Sequence, residues 1–167
     1  MTAAPNRTRR RNRSGRAATK EPKALDMGVL PRLLGYHLRC AQVAMFRQFN
    51  QRLGNYEISP PQLGALVLIE ANPGISQSAV AGALRFDRST LVQIIDRLEG
   101  RGLVMREASA HDRRSHALKL TEAGAETLAG LKIQALDQDA ELADDLSEEE
   151  RQALIGLLRR VYDAPES

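Results

Sequence analysis

Two short helical patterns joined by only two residues constrain the fold of this chain more than any other feature. The patterns cover residues 76–84 and 87–101, each opens with a capping residue, Ser76 or Asp87, and only Arg85 and Phe86 separate them. So tight a connection between two helices predicts a helix-turn-helix. Within the second pattern, three apolar side chains recur at helical spacing and predict the face that packs on the core. These residues are Leu91, Ile95 and Leu98.

The period of the pattern changes from helical to about two directly after the second helix, which ends at Gly102. Residues 103–108 and 116–120 alternate in this way around a polar segment, which predicts a β-hairpin with a long charged tip. The inward-facing candidates are Leu103, Met105, Leu118 and Leu120. A hairpin directly after a helix-turn-helix forms a winged helix.

Leucine-rich helical patterns flank this central region on both sides. On the N-terminal side, a helix from Pro31 to Leu53 precedes a second helix that starts after Ser59 and runs to the turn at 72–74. On the C-terminal side, a helix over 121–146 precedes one that opens with a capping-box pattern at Ser147. The expected order is four helices, a hairpin and two helices. We therefore expect a mainly α chain, with a winged helix-turn-helix and a helical dimerisation domain built from the N- and C-terminal helices.

Length and composition exclude several classes of protein. With 167 residues the chain is about one domain long, so a large multidomain enzyme is excluded. A single cysteine excludes an intrachain disulfide framework. The apolar runs are too short for a signal peptide or a membrane span, so we expect no membrane association and a location in the cytoplasm.

Charge is distributed unevenly along the chain. Residues 1–23 hold eight cations and one acid and contain almost nothing that could pack, so we expect a disordered basic arm. Residues 85–119 hold eight cations and five acids, whereas residues 120–167 hold four cations and twelve acids. The arm either adds sequence-independent phosphate contacts to DNA or has no role.

The polar face of the second helix of the helix-turn-helix suits DNA. It carries short and amide side chains that can reach base edges in the major groove, beside arginines placed for bases or phosphates. These candidates are Arg88, Ser89, Thr90, Gln93 and Arg97. Candidate contacts to the DNA backbone are Ser76, Gln77 and Arg106. The alternative is a merely solvated helix face.

Four segments resemble the MarR family of bacterial transcription regulators. They are FDRSTLV at 86–92, DRLEGRGLV at 96–104, DRRS at 112–115 and LKLTEAG at 118–124. The segments fall within residues 59–124, and the order of helices extends the resemblance to about residues 25–162. The resemblance implies that Arg114 enters the DNA minor groove and that Asp112 orients its guanidinium. The wing candidates are Asp112, Arg113, Arg114 and Ser115.

A homodimer is expected because a body this small cannot bury all of its apolar side chains. Leu25, Val29, Leu30 and the stripe over 154–161 need a second copy to cover them. A twofold dimer predicts an inverted-repeat operator in double-stranded DNA, with half-sites about 10 bp apart. The expected division of the chain is an arm at 1–23, a dimerisation region at 24–56 and 121–163, and a DNA-binding domain at 57–120.

The resemblance also implies a small-molecule effector and release of a repressor from DNA. LGYHLRCAQ at 34–42 followed by FRQF at 46–49 looks like the first helix of the family branch that regulates aromatic-acid catabolism, including regulators that respond to hydroxycinnamoyl-CoA thioesters. We therefore expect an aromatic acid or its CoA thioester as the effector. The candidate pocket residues are Tyr36, His37, Arg39, Cys40, Phe46, Arg47 and Phe49.

Three other functions compete with this one. Cys40 with Tyr36 one turn before it admits a thiol-based redox sensor, although a lone buried cysteine is more often an apolar filler. A helical adaptor that binds no DNA would use the acidic C-terminal region. An enzyme lacks support, since none of the common catalytic or phosphate-binding motifs is present. The spacing of the three histidines predicts no metal site, and no cofactor is expected.

Overall fold

The computed structural model describes residues 25–108 and 116–163. Within these residues six α-helices and the hairpin follow one another in the expected order. A further two-residue strand precedes the third helix, and short 3₁₀ helices lie at Leu30–Arg32 and Gly54–Tyr56. The elements are α1 Leu34–Leu53, α2 Pro60–Ala71, β1 Ile75–Ser76, α3 Gln77–Leu84, α4 Arg88–Gly100, β2 Val104–Ala108, β3 His116–Leu120, α5 Glu122–Leu142 and α6 Glu148–Tyr162.

The helix-turn-helix and the hairpin are both present, which confirms the winged helix. The strands form an antiparallel sheet in the order β1-β3-β2, with Val104 opposite Leu120 and Ile75 opposite Leu118. The helices α2, α3 and α5 all pack against this unit. The two-residue strand β1 was not predicted, because a strand that short leaves no periodic pattern in the sequence.

The predicted core face of α4 is confirmed. Leu91, Ile95 and Leu98 are no more than 1% exposed and belong to one cluster with residues of α2, α3, β3 and α5. Burying a leucine or isoleucine side chain contributes about 1.5–3 kcal/mol. The burial of this face therefore fixes which side of α4 points to solvent.

The inward face of the hairpin differs from the prediction at one position. Met105 is 43% exposed, whereas its neighbour Val104 is only 2% exposed. The strand alternation begins at Val104, because Leu103 still belongs to the turn that Gly102 makes at φ +69°. Leu103 donates its backbone N–H to the Leu98 carbonyl and is buried as well, so two consecutive residues point inward.

Two helix boundaries also differ from the prediction. Pro31 lies in the 3₁₀ helix and not in α1, because Leu33 takes an extended conformation and its N–H bonds back to the Leu30 carbonyl. At the other end, α5 stops at Leu142 and a turn over 143–146 replaces the expected last helical turn. Local backbone bonds therefore make α1 begin later, and α5 end earlier, than the apolar pattern predicts.

The predicted helix caps are confirmed at Ser59 and Ser147, both of which form capping boxes. At Ser147 the backbone N–H bonds to the Glu150 carboxylate and the hydroxyl accepts from the Glu150 N–H. Hydrogen bonds from the backbone N–H of Glu149 itself and from the Ser147 hydroxyl lower the pKa of the Glu149 carboxyl. Acids in this first turn suit the positive end of the helix dipole.

A close backbone contact joins α5 to the winged helix. Thr121 caps α5 and donates its hydroxyl to the Gly102 carbonyl at 2.6 Å, and its N–H bonds to the Leu103 carbonyl. At Gly124 a Cβ would lie 1.9 Å from the Leu103 carbonyl oxygen. Only a residue without a side chain therefore lets α5 approach the hairpin this closely.

None of the helices in residues 25–108 and 116–163 combines the length and apolarity that crossing a membrane requires.

We predict that Gly124→Ala destabilises the fold by about 1–3 kcal/mol or more, because its methyl group would overlap a backbone carbonyl that cannot move independently. Urea unfolding followed by circular dichroism measures the change. Gly82→Ala is the matched control, since a Cβ there meets nothing within 4 Å. We expect it to gain about 0.5–1 kcal/mol of stability from helix propensity. Equal stability of the Gly124 variant and the wild type would contradict the close contact.

Candidate nucleic-acid interface

The solvent side of α4 brings the predicted base-reading residues together. Arg88, Ser89, Gln93 and Arg97 are exposed, and Thr90 is half-buried at the edge of the same surface. The opposite side of the helix is buried, so these side chains cannot turn inward without breaking the core. A polar helix face held this firmly can present hydrogen-bonding groups to the major groove.

Asp87 organises the N-terminus of α4. Its carboxylate accepts from the Ser89 hydroxyl at 2.5 Å, the Thr90 hydroxyl at 2.6 Å and the Thr90 N–H at 2.8 Å. The hydrogen bonds from Ser89, followed by those from Thr90, hold the pKa of this carboxyl far below its usual value. With their protons committed to Asp87, the two hydroxyls point their lone pairs outward and can accept from base amino groups.

Arg106, one of the predicted backbone contacts, pairs with acids of α4 in the fold. Its guanidinium forms ion pairs with Asp96 and Glu99 of α4, and its side chain is only 19% exposed. The oxygen of the Gln77 amide lies 2.8 Å from Arg106 Nε in the orientation that satisfies both groups. The cation therefore braces the first hairpin strand against α4. The two acids three residues apart on α4 were the sequence signal for this contact.

Ser76, the third predicted backbone contact, caps α3. Its hydroxyl accepts from the Ala79 N–H at 3.2 Å and lies 3.1 Å from the Ser78 hydroxyl. The prediction that these residues contact phosphates remains a prediction.

The tip of the wing, including Asp112, Arg113, Arg114 and Ser115, lies outside the described residues, and so does the arm at 1–23. The strands that lead to the tip are described. On them Lys119 pairs with Glu107 at 2.7 Å across the hairpin.

A large apolar groove lies between α1 and α6, with Leu142 of α5 at its side. It encloses about 980 Å³, and its polar lining groups are His37, Gln42 and Arg160. The apolar lining residues are Leu34, Leu38, Ala41, Ala44, Met45, Leu142, Leu154, Leu157, Leu158 and Val161. Five of the lining residues come from α6. The sequence predicts dimer contacts for this helix and does not predict that it lines a pocket.

The predicted effector residues are spread over three environments. His37 lines the groove, and its Nε2 lies 2.9 Å from the Pro31 carbonyl oxygen. Arg39, Cys40 and Arg47 are exposed, and Tyr36 and Phe46 are half-buried. Phe49 is 4% exposed and lies in the hydrophobic core, away from the groove.

Cys40 is exposed, so it is not the buried apolar filler that is the alternative to a redox sensor. It lies on α1 beside Tyr36, and its contact with the phenol raises the pKa of Tyr36. The helical spacing of four residues brings the two side chains together, while the side of α1 that they share faces away from the core. Within the described ranges, no group of three His, Cys, Asp or Glu side chains could hold a metal ion.

The central part of the chain matches a known family. The model of the MarR family matches residues 58–116. A protein of Thauera aromatica described as a transcriptional regulator for the hcr operon is 40% identical over 153 residues, which cover 91% of this chain and 92% of the relative. The chain belongs to the MarR family.

Solved structures of the transcriptional repressor CouR resemble this MarR-family chain. CouR bound to a 23-mer DNA duplex is 38% identical with a TM-score of 0.77, covering 83% of this chain and 99% of CouR. CouR bound to p-coumaroyl-CoA is 37% identical with a TM-score of 0.78, covering 85% and 100%. The chain is therefore a DNA-binding transcriptional regulator of the MarR type and not an enzyme.

We predict that Asp87→Asn lowers the melting temperature at pH 7. We also predict that the melting temperature of this variant falls less steeply with decreasing pH than that of the wild type. In the folded state the pKa of Asp87 is depressed, so its contribution is present above the unfolded pKa of about 3.9 and is lost as the pH falls below it. The variant lacks this contribution at every pH. Thermal unfolding of both proteins between pH 3 and 7 tests the effect.

Asp145→Asn is the matched control, because it removes one exposed carboxylate from the turn between α5 and α6 without touching a cap. Parallel pH curves for the wild type and Asp87→Asn would contradict the assigned cause.

Proposed function

We propose that this chain is a dimeric, ligand-responsive repressor that an aromatic acid or its CoA thioester releases from a palindromic operator. The observation that carries the proposal is the outward polar face of α4, which stands over a buried apolar face and cannot rotate away. In this proposal α4 enters the major groove, and Arg114 of the wing, oriented by Asp112, reaches the minor groove beside it.

The apolar surface of α6 supports a dimer. No residue of α6 is buried, even though the helix is rich in leucine. The apolar side chains of Leu154, Leu157 and Val161 are 46%, 55% and 48% exposed. Leu25 is 83% exposed at the start of the chain's described part. Exposed apolar side chains of this number mark a surface that another protein covers. We propose that a second copy covers them through residues 24–56 and 121–163, leaving residues 57–120 to bind DNA.

The lining of the groove supports an aromatic acyl effector, which in the proposed dimer occupies the space that the second copy leaves open between α1 and α6. The walls of the groove are largely aliphatic, and His37, Gln42 and Arg160 offer polar groups to a ligand's oxygen atoms. Arg39 and Arg47 are exposed cations of α1, and in this proposal they bind the phosphates of CoA. That the similar repressor CouR was solved with p-coumaroyl-CoA supports this class of ligand. Release follows if the effector favours a dimer whose two α4 helices no longer match successive grooves.

A redox-sensing repressor is the second candidate, and the exposure of Cys40 favours it. An exposed thiol is open to peroxides, and Tyr36 contacts it. Cys40→Ser separates the two candidates. If operator release by peroxide persists in this variant, the redox function is rejected.

We predict that Gln93→Ala weakens binding to the operator about tenfold or more, because a bidentate base contact contributes about 1–3 kcal/mol of discrimination. Fluorescence anisotropy with DNA from the chain's own upstream region measures the affinity, with unrelated DNA as the reference. Gln51→Ala on the exposed side of α1 is the matched control. Arg114→Ala should remove most specific binding while the fold is kept. Unchanged operator affinity in both variants would contradict the proposed interface.

We predict that p-coumaroyl-CoA or a free aromatic acid dissociates the protein from this operator. The same anisotropy assay gives the effector concentration for half release, and calorimetry gives the affinity for the protein alone. Sedimentation at micromolar concentration should show a dimer. A monomer would overturn the dimeric part of the proposal, and a lack of binding by every aromatic acid and CoA ester tested would overturn the effector part.

A further inference from the structure

Arg85 joins the turn of the helix-turn-helix to the far end of the C-terminal helix. Its guanidinium forms an ion pair with Asp163 and lies 4.9 Å from the centre of the Tyr162 ring. Arg85 and Asp163 are 78 positions apart in sequence. One side chain therefore holds the last turn of α6 by two different interactions.

The backbone at Arg85 is fixed independently of these contacts. Arg85 has φ +55°, in the left-handed region that few residues other than glycine adopt. Its N–H and that of Phe86 bond to the carbonyls of Gly82 and Ala81, which closes the turn between α3 and α4. The guanidinium is thus attached to a rigid corner of the DNA-binding unit and not to a loose loop.

In the described part of the chain, few contacts other than those of Arg85 fix the C-terminal end of α6. The helix has no buried residue. Near its start, Arg151 pairs with Asp139 of α5, whereas at its end Tyr162 and Asp163 meet Arg85. Between these points, Leu154, Leu157 and Val161 line the groove. Arg85 therefore provides a contact between the C-terminal end of α6 and the helix-turn-helix.

We propose that Arg85 is a positioning residue for DNA binding, which holds the helix-turn-helix at a fixed place relative to α6 through Asp163 and Tyr162. The proposal rests on the proposed function, in which α6 lies at the centre of the dimer and the two α4 helices must match successive major grooves. When the contact is lost, the DNA-competent arrangement becomes a smaller fraction of the population, and the apparent operator affinity falls by that fraction.

Removing the negative charge of Asp163 distinguishes a positioning role of Arg85 from a simple attraction between Arg85 and the DNA phosphates, because the two predict opposite changes in operator affinity. Asp163→Asn removes a negative charge and frees the Arg85 cation, so electrostatics alone would tighten binding to DNA. Positioning predicts the opposite result. We expect Asp163→Asn, Tyr162→Leu and Arg85→Ala each to weaken operator binding about 3- to 10-fold. Non-specific binding should be unchanged in Tyr162→Leu and as tight or tighter in Asp163→Asn. Tyr162→Phe is the matched control, because it keeps the ring under the guanidinium.

Hydrogen exchange of the DNA-free protein tests the contact without an operator. We expect backbone amides over 82–92 to exchange several times faster in Asp163→Asn and Tyr162→Leu than in the wild type and in Tyr162→Phe. Faster exchange with weaker operator binding supports the proposal. Unchanged exchange, or operator binding as tight as or tighter than the wild type in Asp163→Asn, overturns it. If the wild type itself binds no operator, the proposed function fails, and the exchange data still decide whether Arg85 fixes the turn.

Discussion

The burial of one side of α4 is the interaction on which the rest of the structure depends. Leu91, Ile95 and Leu98 bind α4 to a core that α2, α3, β3 and α5 share. Since this side cannot leave the core, the polar side must face solvent. Asp87 then holds the hydroxyls of Ser89 and Thr90 in one orientation at the start of that face. A stable core thus prepares a surface whose hydrogen-bonding groups are already oriented.

The helix α6 is attached to the structure differently from the winged helix. The winged helix buries its apolar residues within one chain, and the close approach at Gly124 locks α5 onto it. By contrast, α6 leaves its leucines exposed and meets the DNA-binding unit through Arg85. A firmly packed DNA-binding unit beside a loosely attached helix is an arrangement suited to regulation, because the helix can move while the DNA-binding unit stays folded.

Much of this fold could be predicted because its signals are local. Caps such as Ser147 and Asp87 act on N–H groups within three residues, and the apolar spacing on α4 reports burial on one face. Less could be predicted where distant groups decide the outcome. Arg106 is a candidate phosphate contact in sequence, and only the fold shows that it pairs with two acids on α4. Met105 fits an alternating pattern, yet the turn at Gly102 shifts the start of the alternation by one residue.

The sequence by itself determined the order of elements, the side of α4 that is buried and the family to which the chain belongs, since each depends on residues close together in the chain. Only the tertiary structure decided that Cys40 is exposed, that Phe49 belongs to the core and that α6 supplies much of the groove. It also brought Arg85 to Asp163. These facts depend on how helices pack across long separations, which no local pattern of residue types encodes.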